Sequence, residues 1–216
     1  MNPAEKKVSY KITNSYNTLN KKTDHTKNVW VVFHGIGYLS KYFLKYFKGL
    51  DPQENYLIAP QAASKYYLNG KYTHVGASWF TKDNTQQEVE NAMNYLDEVF
   101  KAETLETTEN LIVLGYSQGV SVATRWVSKK KIKCSHLILC SGGIPKELKP
   151  EDFKHLQDTK ISMIYGNEDP FLDKERLQNE KLRLKEIFQE NLTIIPFDGV
   201  HEMKPTIIET LVVYPL

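Results

Sequence analysis

Apolar residues along this chain come in short, mostly β-branched runs set far apart. Val29-Trp30-Val31-Val32-Phe33, Tyr56-Leu57-Ile58-Ala59, Leu111-Ile112-Val113-Leu114, Leu137-Ile138-Leu139-Cys140, Ile161-Ser162-Met163-Ile164-Tyr165 and Leu192-Thr193-Ile194-Ile195 each last four or five residues without regular polar alternation. A strand with one wet face alternates, so these runs predict strands buried on both faces of a parallel sheet. Val8-Ser9-Tyr10-Lys11-Ile12 does alternate, and it predicts a half-exposed edge strand.

Between the runs the period lengthens to that of a helix. Val89, Ala92, Met93, Leu96, Val99 and Phe100 recur at helical spacing behind Thr85-Gln86-Gln87-Glu88, which reads as a capping box. Val122, Ala123, Trp126 and Val127 form a second stripe closing on Lys129-Lys130-Lys131, cations that suit a helix C-terminus and solvate it. Further helices are expected from Asp173 to about Gln189 and from Pro205, where proline fits a first turn. Strands alternating with helices give βαβ units, right-handed crossovers and an α/β, doubly wound, mostly parallel sheet. No linker-like tract or internal repeat divides the sequence, so a single domain over residues 1–216 is expected.

Composition then removes several classes. With 216 residues, 41% hydrophobic and 25% charged, the chain can bury a sizeable core. A net charge of +2 is too nearly balanced for a groove that tracks phosphates, so nucleic acid is not expected as a partner. The N-terminal stretch lacks the apolar segment of a signal peptide, and no run approaches the ~18 apolar residues of a membrane span. That pattern leads to the expectation of a cytoplasmic protein. Cys134 and Cys140, if on one extended segment, lie about 20 Å apart. A disulfide needs Cα atoms within about 7 Å, so two thiols are expected. With no C-x-x-C or H-x-x-x-H spacing, no metal or other cofactor is expected.

The chemistry gathers at Gly115-Tyr116-Ser117-Gln118-Gly119, a G-x-S-x-G pattern. The Leu111–Leu114 run leads into it and the Val122/Trp126 stripe leads out, the strand–turn–helix context of a nucleophile elbow. Without that context, a tight Gly-Ser turn would suffice to explain the motif. A serine needs a base, and the base needs an orienting acid, expected in the order Ser, acid, His on loops after strands. Gly166-Asn167-Glu168-Asp169-Pro170 follows one strand run, and Pro196-Phe197-Asp198-Gly199-Val200-His201 follows another. Of the six histidines only His201 follows a late strand after an acid loop. It is the expected base, with Asp169 the first candidate acid and Glu168 and Asp198 behind it. The backbone N–H of Gln118 is one expected oxyanion donor, and that of Ile36, in His34-Gly35-Ile36-Gly37, is the other. His34 itself, at the strand's end, is expected to prop that loop by a hydrogen bond rather than act as a base.

With these residues the chain resembles the phospholipase/carboxylesterase family of α/β-hydrolases, relatives of the acyl-protein thioesterases, from about Val29 to Leu211. The likeness rests on His34–Gly37, Ala59-Pro60-Gln61, Gly76-Ala77-Ser78-Trp79-Phe80, Gly115–Gly119, Gly166–Asp169 and Gly199-Val200-His201-Glu202. Val120 stands where the family often has a second glycine, and Tyr38 and Leu39 stand where it has an aspartate. The resemblance implies an α/β-hydrolase fold and Trp79 and Phe80 as walls of an acyl pocket, the alternative being that both are core aromatics; Phe171 and Met203, adjacent to the acid and base loops, are further candidates for that wall. Because Ser141–Lys160 is too short for a large cap, an open cleft is expected. The expected activity is a serine hydrolase acting on carboxylic esters or thioesters of small molecules or other acylated substrates. The alternatives are an acyltransferase using the same residues, and a hydrolase-fold binding protein without turnover.

Overall fold

The computed structural model describes residues 3–213. The elements run β1 (Tyr16–Leu19), β2 (Asn28–Phe33), α1 (Ser40–Phe43), β3 (Asn55–Pro60), β4 (Ser64–Tyr67), β5 (Val75–Ser78), α2 (Thr85–Ala102), β6 (Leu111–Tyr116), α3 (Gln118–Lys130), β7 (His136–Cys140), β8 (Lys160–Gly166), α4 (Lys174–Phe188), β9 (Leu192–Phe197) and α5 (Pro205–Val213). All six apolar runs are strands of one seven-stranded sheet, ordered β1-β3-β2-β6-β7-β8-β9. Only β1 is antiparallel, and the remaining pairings are parallel.

The continuous apolar runs have a direct packing reason. Along β2, β3, β6 and β7 every residue is buried, because helices cover both faces of the sheet. Val31, Phe33, Val113 and Leu137 face one core with Met93 and Leu96 of α2, Trp126 of α3 and Leu184 of α4. Trp30, Val32, Leu114 and Ile138 face the other, with Phe43 of α1, Phe47 and Ile208 of α5. Each fully buried Leu, Ile or Phe contributes roughly 1.5–3 kcal/mol relative to exposure, so these two cores hold the sheet. The stretch between β7 and β8 folds down as a 3₁₀ turn, Pro150–Leu156, whose Phe153 ring meets Phe188 of α4 at 5.1 Å. Among the described residues it raises no large cap over the strand ends.

Four local features differ from the sequence pattern. Val8, Tyr10 and Ile12 are exposed and form no strand. The edge is instead β1, bracketed by Asn14 Nδ2 donating to the Gln61 carbonyl and Asn20 Nδ2 donating to the Asn55 carbonyl. Alternation makes a strand only where a free sheet edge receives it, and these clamps give the edge of β3 to β1. Second, β9 is the opposite edge and only partly buried, since it has a single neighbour. Third, Thr85 is the first residue of α2 rather than its cap; Asn84 precedes it in a left-handed conformation. Glu88 reaches back to accept from the Thr81 N–H at 2.6 Å. Fourth, β4 and β5 form a separate antiparallel hairpin, docked on the loop after β2 by the Gly37 N–H donating to the Ala77 carbonyl at 2.9 Å.

Candidate active site

Strand β6 ends at Tyr116, and the chain turns at once into α3 through Ser117 (φ 53°, ψ −117°). Such a conformation costs a non-glycine residue ~1–3 kcal/mol and persists only where the surroundings impose it. They do so by close approach: a Cβ on Gly115 would lie 2.5 Å from the Gly119 carbonyl oxygen, and one on Gly119 2.1 Å from that of Phe33. Glycine at these two positions lets the α3 N-terminus settle against β6 and β2. The Ser117 N–H donates to the Cys140 carbonyl at 2.8 Å, which ties the turn to β7 as well.

The loops after β8 and β9 bring two further groups to Ser117. Nε2 of His201 lies 2.9 Å from Ser117 Oγ, and its Nδ1 lies 2.7 Å from Asp169 Oδ2. Asp169 is 4% exposed, and its other oxygen accepts from the Phe171 N–H at 2.9 Å. A carboxylate held on both oxygens has one orientation to offer the imidazole. Glu168 and Asp198, the other candidate acids, are exposed; Glu168 donates its N–H to the Gly199 carbonyl and Asp198 accepts from Asn167 Nδ2. The structure therefore brings Asp169, and neither alternative, to His201.

Beside Ser117 lie the loop after β2 and the start of α3. Among the described residues neither the Ile36 N–H nor the Gln118 N–H is engaged by a protein acceptor. The Gln118 N–H opens a 13-residue helix whose dipole favours negative charge at that end. His34 is fully buried: Nδ1–H donates to the Gly35 carbonyl at 2.8 Å, and Nε2 accepts the Ala62 N–H at 3.2 Å. Burial pushes its pKa down to about 4, so the ring is neutral, as this donor-and-acceptor role requires. His34 thus contacts the loop in the way the sequence suggests.

The four residues expected along an acyl pocket are placed differently from one another. Trp79 is 3% exposed, its Nε1–H donating to the His34 carbonyl at 2.9 Å and its ring edge-on to Phe33. Phe80 is buried under the Arg125 guanidinium, and Met203 is buried in the core that contains Phe43. These three support the site from below and offer a substrate little surface. Phe171 is 61% exposed, with its ring edge-on to His201 at 4.8 Å. Ile36, in the loop after β2, is exposed as well.

Two side chains escaped the sequence reading although both belong to the motif. The Gln118 amide accepts from the Trp79 N–H at 2.9 Å and donates to the Phe80 carbonyl at 2.8 Å, clamping α3 to the segment after β5. The Tyr116 hydroxyl donates to the His201 carbonyl at 2.9 Å. Neither contact has a signature in apolar periodicity. Both cysteines are free and buried, and burial pushes the Cys134 thiol up to about 12. Among the described residues no group of three or more His, Cys, Asp or Glu is placed to hold a metal, and no helix is long and apolar enough to cross a membrane.

The phospholipase/carboxylesterase family model matches residues 14–213. No curated protein matches the sequence. Among solved structures, a phospholipase/carboxylesterase from Dyadobacter fermentans superposes with a TM-score of 0.70 at 19% identity, over 95% of this chain and 99% of that one. Zea mays acyl-protein thioesterase 2 gives 0.69 at 15% identity, over 93% and 99% of the two chains. Esterase PE8 gives 0.69 at 18% identity, over 95% and 100%. At such identities the likeness is one of fold, the α/β-hydrolase architecture without a large cap.

Proposed function

This chain belongs to the phospholipase/carboxylesterase family of α/β-hydrolases and is a hydrolase; from that premise we propose that it cleaves carboxylic esters or thioesters of short to medium acyl chains through an acyl-enzyme on Ser117. The observation that supports the reading is the line from Ser117 Oγ through His201 to Asp169, at 2.9 and 2.7 Å, made by residues 84 and 32 positions apart in sequence.

In this mechanism His201 Nε2 takes the Ser117 proton as Oγ attacks the acyl carbonyl carbon. The carbonyl oxygen becomes an oxyanion held by the Ile36 and Gln118 N–H groups, with the α3 N-terminus behind them. Asp169 holds Nδ1–H and stabilises the imidazolium. His201 then returns the proton to the departing alcohol or thiol, leaving the acyl group on Ser117. Water enters, His201 deprotonates it, and the second tetrahedral intermediate collapses to free acid and regenerated serine. The chemistry needs water as its co-substrate, and no cofactor or metal has a part in it. Phe171 and Ile36 supply the apolar surface for the acyl chain.

The same reading takes the chain as one α/β-hydrolase domain working in the cytoplasm on a small ester or acylated molecule. Its single-domain part is supported by one sheet that gathers all three residues, and the choice of a small molecule over nucleic acid by the near-neutral charge of +2. The test is labelling with a fluorophosphonate, followed by turnover of p-nitrophenyl esters of increasing acyl length. Wild-type protein should label and turn over, and Ser117→Ala should do neither while keeping its melting temperature. Labelling or turnover retained in Ser117→Ala would move the nucleophile elsewhere and overturn the reading.

A further inference from the structure

The base loop hangs from the least buried strand of the sheet. β9 has one neighbour, and His201 lies beyond its end in irregular backbone, in a loop that also contains Gly199. The ties that hold this loop run mostly to the acid loop: the Asn167 N–H donates to the Phe197 carbonyl, the Glu168 N–H to the Gly199 carbonyl, and Nδ1 of His201 meets Asp169. They fix the base against the acid. They leave its distance to Ser117, on a different strand, to other contacts.

The Tyr116 hydroxyl supplies one. Tyr116 is buried at the end of β6, adjacent to Ser117 in the chain, and its O–H donates to the His201 backbone carbonyl at 2.9 Å. Its ring lies 5.3 Å from the imidazole, tilted by 35°, while Phe171 meets the same imidazole edge-on at 4.8 Å. The Tyr116 ring is itself fixed, stacked on Phe43 at 6.1 Å and perpendicular to Tyr38 at 5.8 Å. Tyr38 stands two residues after Ile36, so the same aromatic block reaches the expected oxyanion loop. A carbonyl can only accept, so the tyrosine must stay protonated; burial, with Tyr38 nearby, pushes its pKa well above the usual range.

We propose that Tyr116 is a positioning residue: its hydroxyl pins the His201 main chain to the nucleophile strand and so holds Nε2 within hydrogen-bond reach of Ser117 Oγ. This rests on the function proposed above and adds a residue to it. The hydroxyl touches no reacting atom and acts only through His201. Proton transfer depends steeply on heavy-atom separation, so a base loop free to drift lowers the rate of acylation more than substrate binding.

The experiment compares wild type, Tyr116→Phe, His201→Ala and the double variant. It measures kcat and KM on p-nitrophenyl acetate, the rate of fluorophosphonate labelling and the melting temperature. Tyr116→Phe keeps the ring and removes only the hydroxyl. It should lower kcat about 3–10-fold, the effect of one net hydrogen bond, with KM within about twofold. In the His201→Ala background the same substitution should change the residual labelling rate by less than about twofold, because the residue it acts through is gone. A wild-type kcat in Tyr116→Phe, or an equal loss in both backgrounds, overturns the proposal while a dead His201→Ala leaves the function standing. If His201→Ala itself turned over like wild type, the function and this proposal would both fall.

Discussion

Strand β6 delivers Ser117 from the middle of the sheet, with β2 on one side, β7 on the other and every residue buried, whereas β9 delivers His201 from an edge with mixed exposure. At the centre, close packing imposes position. The backbone there tolerates positive φ at two serines, Ser117 and Ser141, at the ends of adjacent strands β6 and β7. At the edge the loop uses Gly199 where it needs such a conformation, and hydrogen bonds to its neighbours give it position. The proposed reaction therefore draws on a rigid half and a tethered half. Substitutions at the centre should register mainly as strain or folding, and those at the edge mainly as rate.

The sharpest break in that division is Asp169→Asn. The side chain is wholly buried and holds His201 Nδ1 at 2.7 Å, so an amide of the same shape preserves packing but loses the charge and the correct tautomer. Turnover should fall about 10⁴-fold, the loss seen for the equivalent acid in serine proteases, with the melting temperature within a few degrees of wild type. Glu168→Gln, on the exposed neighbour, should remain near wild type. The reverse result, a dead Glu168→Gln and an active Asp169→Asn, would reassign the acid.

The next effect is in stability and compares two buried histidines, His34 at the end of β2 and His136 at the start of β7. Burial pushes both down to about 4. The unfolded chain takes up these protons below about pH 6.5, so it binds more protons than the fold between roughly 6.5 and 4. Their stabilisation is fully present above that window and is lost as pH falls through it, on the order of 3 kcal/mol for each histidine. Chemical denaturation at several pH values should show this slope, and His136→Asn should flatten part of it without changing turnover at pH 7. His34→Gln should flatten it too, but with reduced turnover, because His34 is hydrogen-bonded to Gly35, which lies against Ser117. Equal turnover in both variants would remove His34 from any part in the site.

The centre was more legible in the sequence than the edges, of which β9 was read as a strand but not as an edge and β1 was not read, for a physical reason. Strands buried on both faces must be apolar throughout, and the runs of β2, β3, β6, β7 and β8 could be read as such without reference to their neighbours. The Ser117, Asp169 and His201 positions followed from where those strands end. An edge strand depends on what clamps it: Tyr16-Asn17-Thr18-Leu19 carries no apolar run, while the better alternation at Val8–Ile12 is left exposed. Ser64–Tyr67 is wholly exposed and pairs only with β5, so burial leaves no pattern in it. Trp79, expected either as a pocket wall or as a core aromatic, is 3% exposed. An aromatic next to a site reads the same in sequence whether it faces the cleft or, as here, supports His34 from beneath.

A smaller effect tests the strain at the centre. Ser117 at φ 53° and ψ −117° is in a region that glycine occupies freely. Ser117→Gly should abolish turnover and yet stabilise the fold by about 1–2 kcal/mol, raising the melting temperature by roughly 2–8 °C. Ser117→Ala keeps the Cβ and should show no such gain. Gly199→Ala should move the edge in the opposite direction, because its φ of 157° is one that L side chains rarely adopt and a Cβ there would also lie 2.9 Å from the Phe197 ring. A glycine at position 117 that left stability unchanged would mean the turn holds no releasable strain.

The smallest effect separates surface that a substrate touches from surface that supports the site. Phe171 is exposed beside His201, and Trp79 is buried against His34 at the start of the loop after β2. A methylene fully buried on an apolar wall gains about 0.8 kcal/mol, and one laid on an open, one-sided surface gains a fraction of that. Phe171→Ala should therefore leave acetyl ester kcat/KM within about twofold while lowering the octanoyl ester about 3–10-fold, since only the longer chain reaches the ring. Trp79→Ala should lower both esters together and destabilise the fold, because a removed core indole leaves a cavity whatever the substrate's length. An equal loss on both esters in Phe171→Ala would make Phe171 a packing partner of the imidazole. A length-dependent loss in Trp79→Ala would mean that substrate binding opens the site down to the indole, and the rigid half would then be less rigid than its burial implies.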